Sequence, residues 1–242
     1  MWEIMPEHAS SYAADIDNVI KLITYTVGGW LLAAYAVFFL FLFLFRRGSG
    51  RQSKYVPGTG RQMAWVLVPV FLVALCDLAI DLYNAPVWTH IKQEIPETEQ
   101  AVQVLGRQWS WQFTYPGPDA QFGTADDVVT VNQLHVKLGA KTRFTVMAAD
   151  VLHSLSIPAF RIKQDAVPGR RIDGWFQAVK IGTYDIQCAE ICGVGHSAMA
   201  ARVIVHSGAD FEKALKTASA RPQPDKTAQA RMLAAAFTPE EN

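Results

Sequence analysis

The stretch Cys188-Ala189-Glu190-Ile191-Cys192-Gly193-Val194-Gly195-His196-Ser197-Ala198-Met199 places two thiols, an imidazole and a thioether within 12 residues. A second imidazole, His153, lies 35 residues upstream. Thiolate and thioether are soft donors and imidazole is borderline, a mixture that selects copper over magnesium, calcium or manganese. Zinc would accept two Cys and two His as a tetrahedron but has no use for Met199. A mononuclear blue-copper site uses one Cys, two His and a weak Met, so this loop has one Cys too many. Two thiolates can each bridge two metals. Each copper would then have two sulfurs, one imidazole and one weak donor, with the Glu190 carbonyl opposite Met199. The competing readings of the C-x-x-x-C pair are a disulfide and the dithiol of a membrane-anchored copper chaperone. A chaperone of thioredoxin type would have its cysteines opening a helix, whereas here glycines and Met199 follow them directly.

Such donors need a scaffold that brings two distant segments together. After Pro86 the chain breaks into short β-prone stretches: 108–115, 128–136, 142–148, 174–179, 183–187 and 201–205. Pro116-Gly117-Pro118, Gly139, Pro168-Gly169 and Gly182 punctuate them. Many short strands at this spacing suggest a sandwich or barrel. The copper-type loop sits between two strand candidates, and His153 falls at the end of another, so loops at one end of a sandwich can meet. Within the tail from Gly208, residues 210–218 suggest a short helix and the remainder a segment that wanders over the surface or is disordered in part.

The first 86 residues differ. Leu22 to Phe45 holds no charge over 24 positions, and a span needs about 20. A signal peptide is the alternative, but the run is too long and lacks a basic n-region. A second uncharged run covers the 15 residues from Gln62 to Cys76. We read it as a span continuing to about Tyr83, with a soluble amphipathic helix as the alternative; the Asp77 and Asp81 face lies at the water boundary or against a partner. Arg46, Arg47, Arg51, Lys54 and Arg61 put the loop between the spans on the cytoplasmic side, and both flanking segments outside. The 22 basic and 22 acidic residues balance, which argues against a nucleic-acid partner. Three cysteines do not make a disulfide framework; Cys76, in an apolar run, reads as a small buried hydrophobe.

At these residues the chain resembles cytochrome c oxidase subunit II over about residues 12 to 206. Four motifs carry the likeness: the Cys188–Met199 loop, Asp150-Val151-Leu152-His153-Ser154, Gly106-Arg107-Gln108-Trp109-Ser110-Trp111, and Asp165-Ala166-Val167-Pro168-Gly169-Arg170. The resemblance implies a two-helix transmembrane hairpin (residues 1–86 with the outer N-terminal segment), then an all-β cupredoxin-like sandwich (87–207) and a tail (208–242). It implies a dinuclear copper centre with ligands His153, Cys188, Cys192, His196, Met199 and the Glu190 carbonyl. It implies that the Glu190 carboxylate helps hold magnesium at the interface with a haem-bearing catalytic subunit. Trp109 is implied as the point where electrons enter from a docked cytochrome c. Residues 109, 111, 113 and 115 alternate as aromatics on one strand face, with Trp111 expected in the core. The expected place is a bacterial inner membrane, copper domain on the periplasmic side.

The chain departs from the family pattern at Gln62. The family usually has a Glu three residues before the Trp of the second span, here Trp65, and Gln cannot ionise. No C-x-x-C-H follows the copper loop, so no fused haem c domain is expected. A copper-free quinol-oxidase subunit of the same fold is disfavoured by the cysteines. The Gly117–Asp127 stretch reads as an inserted acidic loop, either a plain turn or a calcium site.

Overall fold

A computed structural model describes residues 5–51, 55 and 58–220 of the chain. Lys54 of the basic loop and the tail beyond residue 220, which the sequence reads as a surface or partly disordered segment, lie outside the described residues. Two long helices open the structure, α1 (Ala13–Leu44) and α2 (Gly60–Trp88). A π-helical turn, Thr89–Gln93, follows α2. The apolar stretches of both helices are unburied in the chain, as expected of surfaces whose solvent is lipid or another subunit. At about 1.5 Å per residue, the 32 residues of α1 exceed a hydrocarbon core of about 30 Å, so its ends extend past that layer. Ahead of α2, the Thr59 N–H donates to Oε1 of Gln62 at 2.9 Å, one arm of a capping box at the helix start.

Contacts divide the chain into two units: residues 15–90, and residues up to 14 together with those from 91 onward. The second unit is a β-sandwich. Its strands are β1 (Gln100–Arg107), β2 (Ser110–Tyr115), β3 (Val128–Val131), β4 (Gln133–Lys137) and β5 (Lys141–Ala148). They continue with β6 (His153–Ile157), β7 (Ile162–Ala166), β8 (Ile172–Gln177), β9 (Gly182–Cys188) and β10 (Ala200–His206). One sheet runs β3-β2-β1-β5-β8 and the other β4-β10-β9-β6-β7. β1 pairs parallel with β5 and β4 parallel with β10; the other pairings are antiparallel. Trp111, Phe113, Val104 and Phe176 from the first sheet meet Leu134, Val203, Ile186 and Leu155 from the second in a buried core. The transmembrane-type hairpin and all-β sandwich expected from the sequence are therefore both present.

Several boundaries differ from the sequence reading. The single strand read over 128–136 is two strands in different sheets. Asn132 turns the corner with φ of +57°, a conformation Asn tolerates better than most residues. Its Oδ1 accepts from the Trp111 N–H at 2.8 Å, fixing the switch. Strands β1, β6 and β7 were not read from the sequence, and His153 opens β6 rather than closing a preceding strand. The C-terminal helix α3 spans Gly208–Ser219, with Phe211 and Ala218 buried.

The segment before α1 belongs to the sandwich unit. Ser10 bridges Ala178, and its Oγ donates to the Phe160 carbonyl at 2.8 Å. Tyr12 is buried edge-on against Trp175 with its hydroxyl on the Trp175 carbonyl at 3.0 Å. Burial pushes the Tyr12 phenol well above its ordinary range. A segment packed on the sandwich shares its compartment, so the chain crosses a membrane an even number of times between them, as two spans require. We predict that in sealed membrane vesicles of known orientation an epitope inserted after Ser49 is reached only from the face opposite to one inserted at Gly123. Both epitopes accessible from one face would overturn the hairpin topology.

Candidate metal centre

Two segments converge at one end of the sandwich. The β6–β9 ladder pairs Leu155 with Cys188 and Ser156 with Gln187, and Ala189 extends it by donating its N–H to the Ser154 carbonyl at 2.9 Å. This pairing sets His153, at the start of β6, beside Cys188, at the end of β9. The loop after β9 then carries Glu190, Cys192 and a 3₁₀ turn, His196–Ala198, before returning through Met199 to β10. The Cys188 N–H donates to the Met199 carbonyl at 3.2 Å and closes the loop at its neck.

The Cys188 and Cys192 sulfurs stand 3.8 Å apart, unbonded. Nδ1 of His153 is 4.0 Å from the Cys188 Sγ, and Nδ1 of His196 is 3.6 Å from the Cys192 Sγ. Met199 Sδ lies 3.8 Å from the Cys192 Sγ. The Glu190 carbonyl lies 3.3 Å from the Cys188 Sγ, so it is the backbone oxygen of Glu190 that faces the thiols. His153, Cys192 and Met199 are buried, whereas Cys188 and His196 are half-buried. Among the described residues, His153, Cys188 and Cys192 form the group of three side chains with metal-ligand spacing. All six residues named from the sequence therefore come together. The donor chemistry fits copper: two sulfurs central, an imidazole at either side, and a thioether and a carbonyl as weaker donors.

Burial, reinforced by the neighbouring Cys188, pushes the Cys192 thiol up to about 11. A metal ion binding there must displace that proton, so its retention strengthens as pH rises. Asp150 steers His153: its Oδ1 meets His153 Nε2 at 2.8 Å, which leaves Nδ1 free to face Cys188. Burial alone would raise the Asp150 carboxyl. The Gln108 N–H, His153 and the Val151 N–H together outweigh it and hold the carboxyl below its ordinary range. Asp150 was quoted in a motif but not read as a site residue. A carboxylate three residues before a candidate histidine ligand was the signal that could have found it.

Trp109 departs from its expected surroundings. Trp111, Phe113 and Tyr115 point into the core along β2, but Trp109 lies in the turn before that strand and is 41% exposed. Its ring lies on the metal loop: a Cβ added to Gly195 would sit 2.4 Å from Trp109 Cδ2, so that position requires glycine. Trp109 Nε1 donates to the Cys192 carbonyl at 3.2 Å, and Gln108 Nε2 donates to the same oxygen at 2.8 Å. Gln108 is thus a supporting residue that the sequence reading did not single out. In the acidic loop, Asp119 Oδ1 accepts from the Gln121 N–H at 2.9 Å, and Asp127 Oδ2 from the Gly123 N–H at 2.7 Å. Thr124 donates to Asp126 Oδ1 at 2.6 Å, so these carboxylates tie their own loop together.

The sequence model of the cytochrome c oxidase subunit II periplasmic domain matches residues 100–207. An alternative cytochrome c oxidase subunit 2 of Bradyrhizobium diazoefficiens is 32% identical over 219 residues, covering 81% of this chain and 77% of the relative. The chain belongs to the cytochrome c oxidase subunit II family. Cytochrome c oxidase subunit 2 of Thermostichus vulcanus is 28% identical over 263 residues, covering 86% of this chain and 76% of the relative. The crystal structure of the periplasmic domain of subunit II from Bradyrhizobium japonicum aligns with a TM-score of 0.47 at 28% identity, over 52% of this chain and 96% of that one. As a subunit II, the chain is a membrane protein with a periplasmic domain and serves as the electron-transfer subunit of an oxidase complex. Copper is the metal that the family and the donor set imply.

Asp150 offers three acceptor contacts through two oxygens; an amide would place an NH₂ against one of these donors. We predict that Asp150→Asn weakens copper retention by about 10- to 100-fold, read by competition with a chelator. Retention equal to the parent would show that the carboxylate does not orient His153.

Proposed function

We propose that this subunit takes electrons from a cytochrome c at Trp109 and delivers them, through a dinuclear copper centre, to a haem-bearing catalytic subunit in a bacterial inner membrane. His153, Cys188, Cys192, His196, Met199 and the Glu190 carbonyl would hold the two copper ions. The observation that carries the reading is the pair of unbonded thiols 3.8 Å apart, each with an imidazole Nδ1 within 4.0 Å. A copper pair sharing two thiolates supplies one delocalised electron site with little reorganisation on redox cycling. A mononuclear copper protein or a delivery dithiol has no use for the full set.

The chain's own residues do the rest. The β6–β9 ladder and the Cys188–Met199 neck hold the donors on a hydrogen-bonded frame, which would limit rearrangement on a change of charge. Burial of His153, Cys192 and Met199 keeps water from those three donors, while Cys188 and His196 are half-buried. Trp109 lays a conjugated ring between solvent and the Cys192 carbonyl, one hydrogen bond from a ligand backbone. The Glu190 carboxylate is not among the groups gathered at the thiols, which leaves it available for a magnesium ion at the catalytic-subunit interface, in keeping with the family.

Two variants test this. Cys192→Ser is expected to abolish the electron spin resonance signal split over two equivalent copper nuclei, because a hydroxyl is not a soft bridging ligand near neutral pH. An unchanged spectrum would overturn the bridging assignment. Trp109→Ala is expected to slow cytochrome c oxidation severely while copper content and the sandwich persist. Loss of a core Trp would instead cost about 3–5 kcal/mol and unfold the domain or release its copper. A folded, copper-replete Trp109→Ala subunit with normal turnover would remove Trp109 from the route.

A further inference from the structure

A second pair of imidazoles lies away from the copper loop. His135 of β4 and His206 of β10 lie on adjacent, parallel-paired strands. Their neighbours Leu134, Val136, Val203 and Val205 fill the core, so alternation places both histidines on the opposite face of the sheet. His135 Nδ1 and His206 Nε2 are 2.8 Å apart. The ring centroids are 5.1 Å apart and the rings are tilted by only 24°. Nitrogens so much closer than the centroids must lie between the rings, so the contact is a head-on N–H···N bond between nearly coplanar imidazoles. The two nitrogens point at one another along a 2.8 Å line, which leaves no place on that line for a metal ion at the ~2.0 Å of a metal–nitrogen bond. Among the described residues no third His, Cys, Asp or Glu joins the pair at ligand spacing.

We propose that the His135–His206 pair is an acid-sensitive clasp between β4 and β10 that supports the docking of α3 on those strands and opens when both rings carry a proton. The bond needs one lone pair. It survives in the neutral pair and in the singly protonated pair, where an imidazolium donates to an imidazole. Two imidazoliums have no lone pair to share and bring like charges head-on. The position gives that change leverage: β4 is an edge strand, and Ser207, next to His206, is the N-cap of α3. The helix packs on β3, β4 and β10.

Other titratable groups lie on the elements packed around the pair. β4 contributes Lys137, and β10 contributes Arg202, which is paired with Asp185 of β9. α3 contributes Asp210, Glu212, Lys213 and Lys216, and β3 carries no titratable side chain. On β2, Tyr115 accepts from the His135 N–H at 2.6 Å and donates to its carbonyl at 3.1 Å; burial holds its phenol well above its ordinary range. Burial lowers His206 from its ordinary value of 6.5, and Asp210 opposes this only in part. The docked state therefore binds protons less readily than the released one. Docking is at full strength above the ordinary histidine range and weakens as pH falls through and below it.

Hydrogen–deuterium exchange of the full-length subunit in detergent reads this directly. Protection factors, corrected for intrinsic exchange, are expected to fall about tenfold or more for residues 208–219 between about pH 7.5 and pH 5, while β1 and β5 stay protected. The double variant His135→Asn, His206→Gln replaces the two bonded nitrogens with amide groups at equivalent reach and should keep α3 protected throughout. If that variant does not fold, His206→Gln alone serves, because its amide can donate to or accept from His135 in either protonation state. Constant α3 protection in the parent, or an equal fall in the amide variants, would overturn the clasp.

Discussion

A ladder of a few residues between β6 and β9 gathers the donor groups of this chain. Cys188, Cys192, His196 and Met199 share one loop, and that loop offers one imidazole. The second imidazole of the proposed centre, His153, lies 35 residues upstream of Cys188. Pairing Leu155 with Cys188, and extending that pairing through Ala189 to Ser154, places His153 against the thiols. The rest of the centre depends on that placement. Asp150 can orient His153 only because the turn before β6 is fixed, and Asp150 also accepts from the Gln108 N–H, which ties the Trp109 turn to the same point.

The loop donors were legible because their chemistry is local: soft ligands at short spacing have few other uses. The partnership with His153 was legible as loops that can meet at one end of a sandwich and was supported by the resemblance, but the strand pairing that brings it about was not. Strands β6 and β7 escaped notice because polar residues interrupt them. Ser154 is fully buried and satisfied by Asp165 at 2.8 Å, a pairing that hydrophobic periodicity cannot reveal. The corner at Asn132 was hidden by a continuous β-prone run, and only its positive φ separates the two sheets. Trp109 fits the alternation of β2 in sequence but sits before the strand, where glycines leave room for its ring.

Gln62 shows how one position can satisfy a structural demand while changing its chemistry. Position N3 of α2 needs an acceptor for the Thr59 N–H, and an amide oxygen serves as well as a carboxylate. The helix start therefore does not require an ionisable residue there.

The N-terminal segment leaves its mark on how the protein is made. Ser10 finds its acceptor 150 residues later and Tyr12 finds its own 163 residues later. Contacts of such separation close a long loop and are secured only once β6 to β8 are in place, so the segment docks late in folding rather than nucleating it. Completion of the sandwich thereby ties residues ahead of α1 to residues that follow α2.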